Sequence, residues 1–353
     1  MTIYYILVAA ILLLNYARRK HAITDKRFCQ IVCVLFILIT GLRHNTVGSD
    51  TTGYYLSFQR LRTIPIGLAV ADKRDFGYYY LEWALAHLGL PFEALTILAA
   101  GVFYIPVFIL IHRYSKNHGL SCLVLMAFNF FQFSMTGIRQ VFAVGFSVLF
   151  FLEVFKEKPR WIRALLMLAV GTAMHRSCLA ALLYIPIRML SEKKWTNAIL
   201  LVLLPVTFIL RERITAFTAF FEAIGFDLEE FEGSGGGLTT YLVLLLLFVW
   251  GVLFTHRRKE SNDSVQPNYL TLTGLSALLQ PLVMVNSIFF RIVWYFSLYL
   301  SVYIPSLVDS SRVTPKSRVL IELALYIGLL FMYFGITITS AHVTPYHFFW
   351  QGA

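Results

Sequence analysis

Residues 28–55 read FCQIVCVLFILITGLRHNTVGSDTTGYY, an apolar run that is followed at once by a polar, turn-forming cluster. The apolar part, Phe28–Leu42, is typical of a membrane helix. The cluster beyond it contains a cation (Arg43), an imidazole (His44), a carboxylate (Asp50), three hydroxyls and glycines. Polar groups at the face of a bilayer are costly to desolvate and usually serve a ligand. We therefore expect the cluster to form part of a site for a charged molecule.

The rest of the chain is apolar in the same way. Of its 353 residues, 58% are hydrophobic and only 14% are charged, against about 25% charged in soluble domains. Only helices and closed barrels satisfy the backbone in lipid. The apolar runs, such as IVCVLFILIT, are continuous rather than alternating, which excludes the barrel pattern. The composition predicts an all-α, polytopic membrane protein with a single integral domain over residues 1–353.

About twelve runs are apolar enough to be membrane helices. The stretch Tyr78–Leu90 is shorter and more polar, and we interpret it as a re-entrant or interfacial helix. The twelve runs are 2–17, 28–42, 93–112, 119–135, 137–155, 161–174, 177–190, 197–210, 239–255, 268–288, 292–308 and 318–338.

The basic residues indicate how the chain is oriented. Twenty of the 30 Lys and Arg residues fall in alternate loops, which should face the cytoplasm. Both termini then lie outside. The net charge of +11 is explained by this topology and needs no nucleic acid. The other ten cations lie on the outer side, and nine of these are arginines, the residue that best binds phosphate or carboxylate. They are Arg43, Arg60, Arg62, Lys73, Arg74, Arg139, Arg176, Arg211, Arg213 and Arg291.

Two outer segments are long enough to contribute to a substrate site, residues 43–92 and 211–238. The second combines an amphipathic stretch, an acidic patch and a glycine-rich hinge, Gly233–Gly237. It is interpreted either as a mobile surface loop or as a lid over the site. The hinge lacks the Lys and Ser/Thr of a phosphate-binding P-loop.

Several polar residues interrupt the apolar runs on the outer side, and each has a structural alternative. Arg43 and Asp50 either bind a ligand or form a salt bridge within their loop. Arg139 starts a helix, where a cation does not serve the dipole, so it either holds an anion or extends to the interface. His175 is either structural or a proton acceptor, since its ordinary pKa suits proton transfer. Arg291 also interrupts a long apolar stretch, and the C-terminal His342–Trp350 is most simply an aromatic belt.

The common metal-binding motifs are absent, because the sequence contains no HExxH, no DxD and no CxxC. The four cysteines lie in apolar segments and are interpreted as core thiols. They are Cys29, Cys33, Cys122 and Cys178. The spacing of Asp75 and Glu82 would place both acids on one face of a helix.

At these residues the chain resembles the EpsG-like family of Wzy-type exopolysaccharide and O-antigen polymerases. The similar pieces occur in family order and span most of the chain. They are GLRHNTVGSDTTGYY (41–55), DFGYYYLEW (75–83), GIRQVFAVGF (137–146), MHRSCLAALLYIP (174–186), FFRIVWYF (289–296) and PYHFFW (345–350).

The resemblance implies a GT-C-like glycosyltransferase in the bacterial inner membrane, with its active site facing the periplasm and no metal or other cofactor. The donor would be a growing glycan on polyprenyl pyrophosphate, and the acceptor a lipid-linked repeat unit. Membrane lipid, a chain-length regulator and a flippase are the further partners expected. We assign pyrophosphate binding, proton transfer and sugar binding to nine residues. These are Arg43, Arg139, Arg176 and Arg291 for pyrophosphate, His175 and then Asp50 as the base, and Tyr54, Asp75 and Gln140 for sugar.

Other functions remain open from the sequence. An O-antigen ligase uses the same donor and is the nearest alternative. A polyprenyl-phosphate-sugar glycosyltransferase would show paired acids in the first outer loop, which Asp72 and Asp75 imitate poorly. A flippase or other transporter of lipid-linked oligosaccharide would have cations along a cavity that reaches both faces. A membrane acyltransferase would use an intramembrane histidine with different companions.

Overall fold

The structure is a computed structural model of the chain, and it describes residues 1–71, 73–214, 237–254, 266–311 and 313–351. The all-α fold class is confirmed: among these residues the only extended pairing is one isolated bridge between Arg43 and Phe348. The α-helices are α1 (Thr2–Arg19), α2 (Asp25–Gly41), α3 (Thr51–Leu61), α4 (Ile66–Val70), α5 (Phe76–His87), α6 (Phe92–Tyr114), α7 (His118–Ala127), α8 (Phe130–Phe133), α9 (Ile138–Val154), α10 (Trp161–Met174), α11 (Tyr184–Leu190), α12 (Lys194–Ile214), α13 (Leu238–Phe254), α14 (Gln266–Val285), α15 (Phe290–Ser297), α16 (Leu300–Ser310) and α17 (Pro315–Gly335). Three 3₁₀ segments, Arg176–Leu183, Ser287–Phe289 and Thr337–His342, join or extend them.

The structure does not confirm the expected count of twelve membrane crossings. By length and hydropathy, four of the described helices are able to cross a bilayer, and a fifth crossing results if α15 and α16, which are bent by 52°, act as one. The four are Phe92–Tyr114, Trp195–Arg213, Asn268–Val285 and Pro315–Gly335. These helices support a membrane protein. The count of twelve is not confirmed, because α2 and α9 have only 17 residues each and other apolar runs are broken.

The broken runs have identifiable causes. The run 119–135 is interrupted at Asn129, which adopts a left-handed conformation (φ 67°) that asparagine tolerates better than most residues. The run 177–190 begins as a 3₁₀ helix because the His175 ring accepts the Ser177 N–H at its start. A hydrophobicity pattern indicates which residues are apolar and not which backbone conformation they adopt. It therefore does not detect such breaks.

Helices α2, α6, α9 and α10 pack side by side in that order and form one half of the core. Helix α14 packs between α12 and α13 in the other half. Aromatic rings fill the space beside α6, where Phe36 contacts Tyr104, Phe108 and Phe131 with centroids 5.0–5.6 Å apart. Such ring contacts contribute about 0.5–1.5 kcal/mol each beyond area burial.

Of the two outer segments, the structure describes nearly all of 43–92 and only the ends of 211–238. Residues 43–92 form α3, α4 and α5, and α5 packs on α3, α4 and α10. The helix predicted at 78–90 is therefore present, and its 12 residues are too few to cross a bilayer. Most of 211–238, including the glycine-rich stretch considered as a lid, lies outside the described residues, as does Asp72.

The C-terminal segment is joined to the loop after α2. The backbone of His44, Gly48 and Ser49 donates hydrogen bonds to the carbonyls of residues 347, 342 and 341 at 2.8–3.0 Å. Phe349 N–H returns a bond to the carbonyl of Leu42 at 3.0 Å. The aromatic end of the chain is thus part of the fold around the opening loop, and not only a surface belt.

Candidate active site

Asp75 is the centre of the candidate site because it connects three separate parts of the chain. It lies directly before α5, and one carboxylate oxygen is 3.0 Å from Arg139 Nη1 at the start of α9. The other oxygen accepts the backbone N–H of Arg176 at 3.2 Å. Only 8% of Asp75 is exposed. Burial raises its pKa, and the positive charges of Arg139, Arg176 and Arg291 oppose this shift.

Asp75 reaches Arg176 because α5 and α10 approach closely. At Gly77 a Cβ atom would lie 2.8 Å from the Cβ of Ala173 and 3.0 Å from that residue's backbone. Such distances are shorter than carbon–carbon contacts allow. A larger residue at position 77 would therefore separate the two helices and draw Asp75 away from Arg176.

Two tyrosines hold the Arg139 side chain in place. The hydroxyl of Tyr54 lies 3.5 Å from Nε and that of Tyr79 lies 3.5 Å from Nη1. The guanidinium carbon is also 6.0 Å and 5.8 Å from the two ring centroids, within the range of cation–π attraction. About a third of the Arg139 side chain remains exposed, so the group is positioned and still accessible.

His175 lies immediately before Arg176, and its ring is held by hydrogen bonds. Nδ1 accepts the N–H of Ser177 at 3.2 Å, and the Ser177 hydroxyl lies 2.7 Å from Nδ1 and 2.9 Å from the hydroxyl of Tyr295. Burial, together with the positive charges of Arg291 and Arg139, lowers the pKa of His175 to about 3. The ring is therefore neutral at physiological pH, and the acceptor role of Nδ1 assigns its proton to Nε2.

Arg291 completes the group from the other half of the chain. Its positive charge lowers the pKa values of both Asp75 and His175. Its backbone carbonyl accepts a hydrogen bond from the side-chain amide of Gln140 at 2.8 Å. Gln140 is 3% exposed. The amide of Gln140 thus fixes the start of α15. Because Gln140 is buried, its side chain is not exposed for contact with a sugar.

The structure brings together seven of the nine residues assigned from the sequence. They are Tyr54, Asp75, Arg139, Gln140, His175, Arg176 and Arg291. Asp50 is exposed and accepts a hydrogen bond from the Ser49 hydroxyl at 3.0 Å. It lies at the edge of the group, close enough to influence the pKa of Tyr54.

Arg43 is the residue that the structure does not bring to this group. Its side chain is 1% exposed, and its guanidinium donates to the backbone carbonyls of Thr40 and Val47. The charged or phenolic groups nearest to it are Tyr4, Tyr104 and Tyr346. None of these contacts is shared with Arg139. Arg43 occupies the inside of the turn that the C-terminal segment covers.

Comparison with known proteins decides the family. The family model for EpsG matches residues 26–348, nearly the whole chain. The chain belongs to the EpsG family. This confirms the resemblance inferred from the scattered sequence pieces. Neither the curated proteins nor the solved structures include a match to this chain.

In this EpsG family member, four residues around Arg139 and His175 were not assigned from the sequence: Tyr79, Glu82, Ser177 and Tyr295. Glu82 is fully buried, and its carboxylate lies 3.4 Å from the Ser57 hydroxyl. Burial raises its pKa to about 7, although Ser57 and Arg139 lower it in part. The spacing from Asp75 predicted a shared face, and both acids do lie within the field of Arg139. Ser177 and Tyr295 lie within two of the family-like pieces, 174–186 and 289–296. Those pieces did not indicate that the two hydroxyls meet, because that contact forms across the fold.

A groove beside the site connects it with an apolar surface. It has a volume of about 630 Å³ and runs between α10 and the segment before α5. Arg176, Lys73 and Arg74 line one part of it. Leu165 and Leu179, each about half exposed, line another. Arg176 therefore belongs both to the groove and to the Asp75 group.

Proposed function

We propose that this EpsG family member is a polysaccharide polymerase of the outer face of the bacterial inner membrane. It transfers a growing glycan from polyprenyl pyrophosphate to the terminal sugar hydroxyl of a lipid-linked repeat unit, without a metal ion. Family membership supports an exopolysaccharide-type polymerase. The observation that carries the more specific proposal is that Asp75 contacts the Arg139 side chain and the backbone N–H of Arg176, while Gln140, next to Arg139, binds the carbonyl of Arg291.

The charges of this group suit a pyrophosphate. Three guanidinium groups and one carboxylate leave two positive charges, and the neutral His175 adds none. When the bond between the anomeric carbon and the pyrophosphate breaks, negative charge builds up on the leaving oxygen. Fixed guanidinium groups stabilise that charge. Arginine also offers paired N–H donors that match the oxygens of a phosphate.

The acceptor hydroxyl must lose a proton as its oxygen bonds to the anomeric carbon. We assign this proton to Asp75 and not to His175. The Nδ1 lone pair of His175 already accepts the Ser177 N–H, and its low pKa opposes protonation. Asp75 is an anion with a raised pKa, which makes it a stronger base than an ordinary carboxylate. Neutral His175 then serves as an N–H donor from Nε2 to the substrate.

The groove offers a place for the lipid part of the donor. Its cations, Lys73, Arg74 and Arg176, would lie beside the pyrophosphate, and Leu165 and Leu179 beside the first isoprene units. An apolar groove that ends in cations matches a molecule with a hydrocarbon tail and an anionic head. Arg43 has no part in this arrangement, and we assign it to the stability of the fold.

The function is tested by deleting the gene in its host and restoring it on a plasmid, with surface polysaccharide separated on a ladder gel. A polymerase deletion leaves single repeat units on the carrier or anchor, whereas a ligase deletion leaves none attached. A flippase deletion prevents repeat units from reaching the outer face. Loss of every attached unit, or retention of a normal ladder, would rule out the polymerase.

A further inference from the structure

A second cluster of reactive side chains lies at the other end of α2 and α6. Cys29 is in the first turns of α2, His112 is in the last turn of α6, and His118 begins α7. One thiol sulfur and one ring nitrogen from each histidine all lie within 4.8 Å of one another. Twelve helical residues, or about 18 Å, separate Cys29 from the loop after Gly41. The cluster is therefore remote from the Asp75 group.

His118 is a buried polar side chain at this end of the bundle whose hydrogen-bonding capacity is not satisfied. It is only 5% exposed, and neither ring nitrogen has a hydrogen bond of normal geometry. Its nearest polar neighbours are the backbone of His112 and the Asp25 carboxylate, which is 4.0 Å from Nδ1. Buried polar atoms nearly always have a partner. A metal ion, which accepts the lone pair of a ring nitrogen, would supply the partner that His118 lacks.

One thiolate and two imidazoles form a donor set that suits zinc. Zinc would need donor atoms roughly 3.3–3.6 Å apart, given bond lengths of about 2.0–2.3 Å. The cluster must therefore contract by about 1 Å. His112 is exposed and can move by that amount, while Cys29 and His118 are buried on either side. The two histidine rings already face each other, with centroids 6.2 Å apart.

We propose that Cys29, His112 and His118 bind one Zn²⁺ ion, with water in the fourth position. Binding displaces the thiol proton to solvent and connects α2, α6 and α7. Asp25 is the outer partner of His118, in the position where a carboxylate commonly orients a metal-bound imidazole. Arg18 donates to Asp25 at 2.9 Å and neutralises it, which favours this outer role over direct ligation. The three ligands are far apart in the sequence, so no motif marks them.

The test uses the full-length protein in detergent, purified with a tag that contains no histidine and stripped with a chelator. Co²⁺, which replaces Zn²⁺ in such sites, is titrated while the thiolate-to-cobalt charge-transfer absorbance is recorded. We expect about one Co²⁺ per chain and its displacement by Zn²⁺. The absorbance should fall by about tenfold or more in Cys29→Ser and His112→Gln, because each removes a ligand.

Matched controls exclude general effects of the substitutions. Cys33→Ser removes a buried thiol one turn along α2, and His21→Gln removes an exposed imidazole in the loop after α1. Both should bind as the wild type does. His112→Gln alters an exposed side chain, so its fold should be retained. Zn²⁺ should raise the melting temperature of the wild type and not that of His112→Gln.

Two results would overturn the proposal. One is the absence of a charge-transfer band in the wild type. The other is an equal loss of the band in Cys29→Ser and Cys33→Ser. Because the cluster is at the opposite end of α2 from the loop beside the transfer site, a failure here would leave the polymerase assignment unaffected. A failed ladder test would likewise leave the metal titration intact.

Discussion

Arg139 is held at the centre of the candidate site by Asp75, Tyr54 and Tyr79, so its exact chemistry should matter. Arg139→Ala removes both the charge and the donors and is expected to lower the transfer rate by about 10²- to 10³-fold. Arg139→Lys keeps the charge but loses the paired N–H geometry, and should recover only part of that loss. The measurement is chain extension in proteoliposomes supplied with a lipid-linked repeat unit.

The matched control for Arg139 is Arg60→Ala, which removes an exposed arginine of α3. It should extend chains at the wild-type rate. Equal activity of Arg139→Ala and Arg60→Ala would show that Arg139 does not contact the donor.

Asp75→Asn separates a role in the reaction from a role in stability. Because burial raises the pKa of Asp75, its charged form costs the folded state free energy as the pH rises through that pKa. The neutral amide still accepts the Arg176 N–H, so the melting temperature should not fall by more than about 2 °C. Chain extension should nevertheless be lost. A large drop in melting temperature with residual activity would contradict the assignment of Asp75 as the base.

The pKa of His175 predicts how the protein responds to acid. Its folded pKa of about 3 lies below the ordinary value of about 6.5. The neutral ring therefore favours the folded state above pH 6.5, and this stabilisation is lost progressively as the pH falls toward 3. His175→Gln should show a smaller loss of melting temperature between about pH 6.5 and 5.

The pH–rate profile should contain no limb from His175 between about pH 5 and 8, because this histidine does not titrate in that range. Measurement of kcat/KM for wild type and His175→Gln should therefore give profiles of equal shape and different height. An acid limb near pH 6.5 that disappears in His175→Gln would show that the histidine is the base after all.

At the scale of elements, the contact between α5 and α10 decides whether the site exists. Gly77→Leu would place a side chain where a single Cβ atom already meets Ala173 at 2.8 Å. The helices must separate, which breaks the bond from Arg176 N–H to Asp75. We expect chain extension to fall by about tenfold or more, since small displacements of reacting groups are costly. Gly67→Ala in α4 is the control, because its Cβ would meet nothing within 4 Å.

Breaks within the apolar runs explain why the sequence predicted where the helices lie but not where each one ends. Continuous apolar runs predicted helices at nearly every position where the structure has one. They did not show the break at Asn129 or the 3₁₀ start after His175, because those breaks come from particular side-chain and backbone contacts. The number of bilayer crossings depends on how such broken helices join, which composition does not encode.

At the scale of the whole molecule, the two ends of the chain depend on each other. Tyr4 in α1 donates to the carbonyl of Val343 at 2.7 Å, and Tyr346 donates to that of Ile39 at 2.7 Å. Arg43 lies inside the turn that this segment covers. Arg43→Lys is expected to destabilise the protein by about 2–4 kcal/mol, because the buried carbonyls of Thr40 and Val47 lose a matched donor.

The measurement for Arg43→Lys is the melting temperature in detergent together with the amount of protein in the membrane. Deletion of residues 343–353 should have an effect at least as large, since it removes the cover of the same turn. Trp350→Ala, at a position that is 59% exposed, is the control and should change little. If Arg43→Lys melts like wild type but cannot extend chains, Arg43 binds the donor as the sequence first suggested.

The sequence by itself determined the all-α membrane character, the family and the types of residue in the proposed site. Each of these depends on composition or on short local pieces. The tertiary structure alone decided that Asp75 contacts Arg139 and the backbone of Arg176, whereas Arg43 is buried with the C-terminal segment. It also decided that His175 is neutral. Charge and pKa at a buried position depend on neighbours brought from distant parts of the chain, and local sequence does not specify those neighbours.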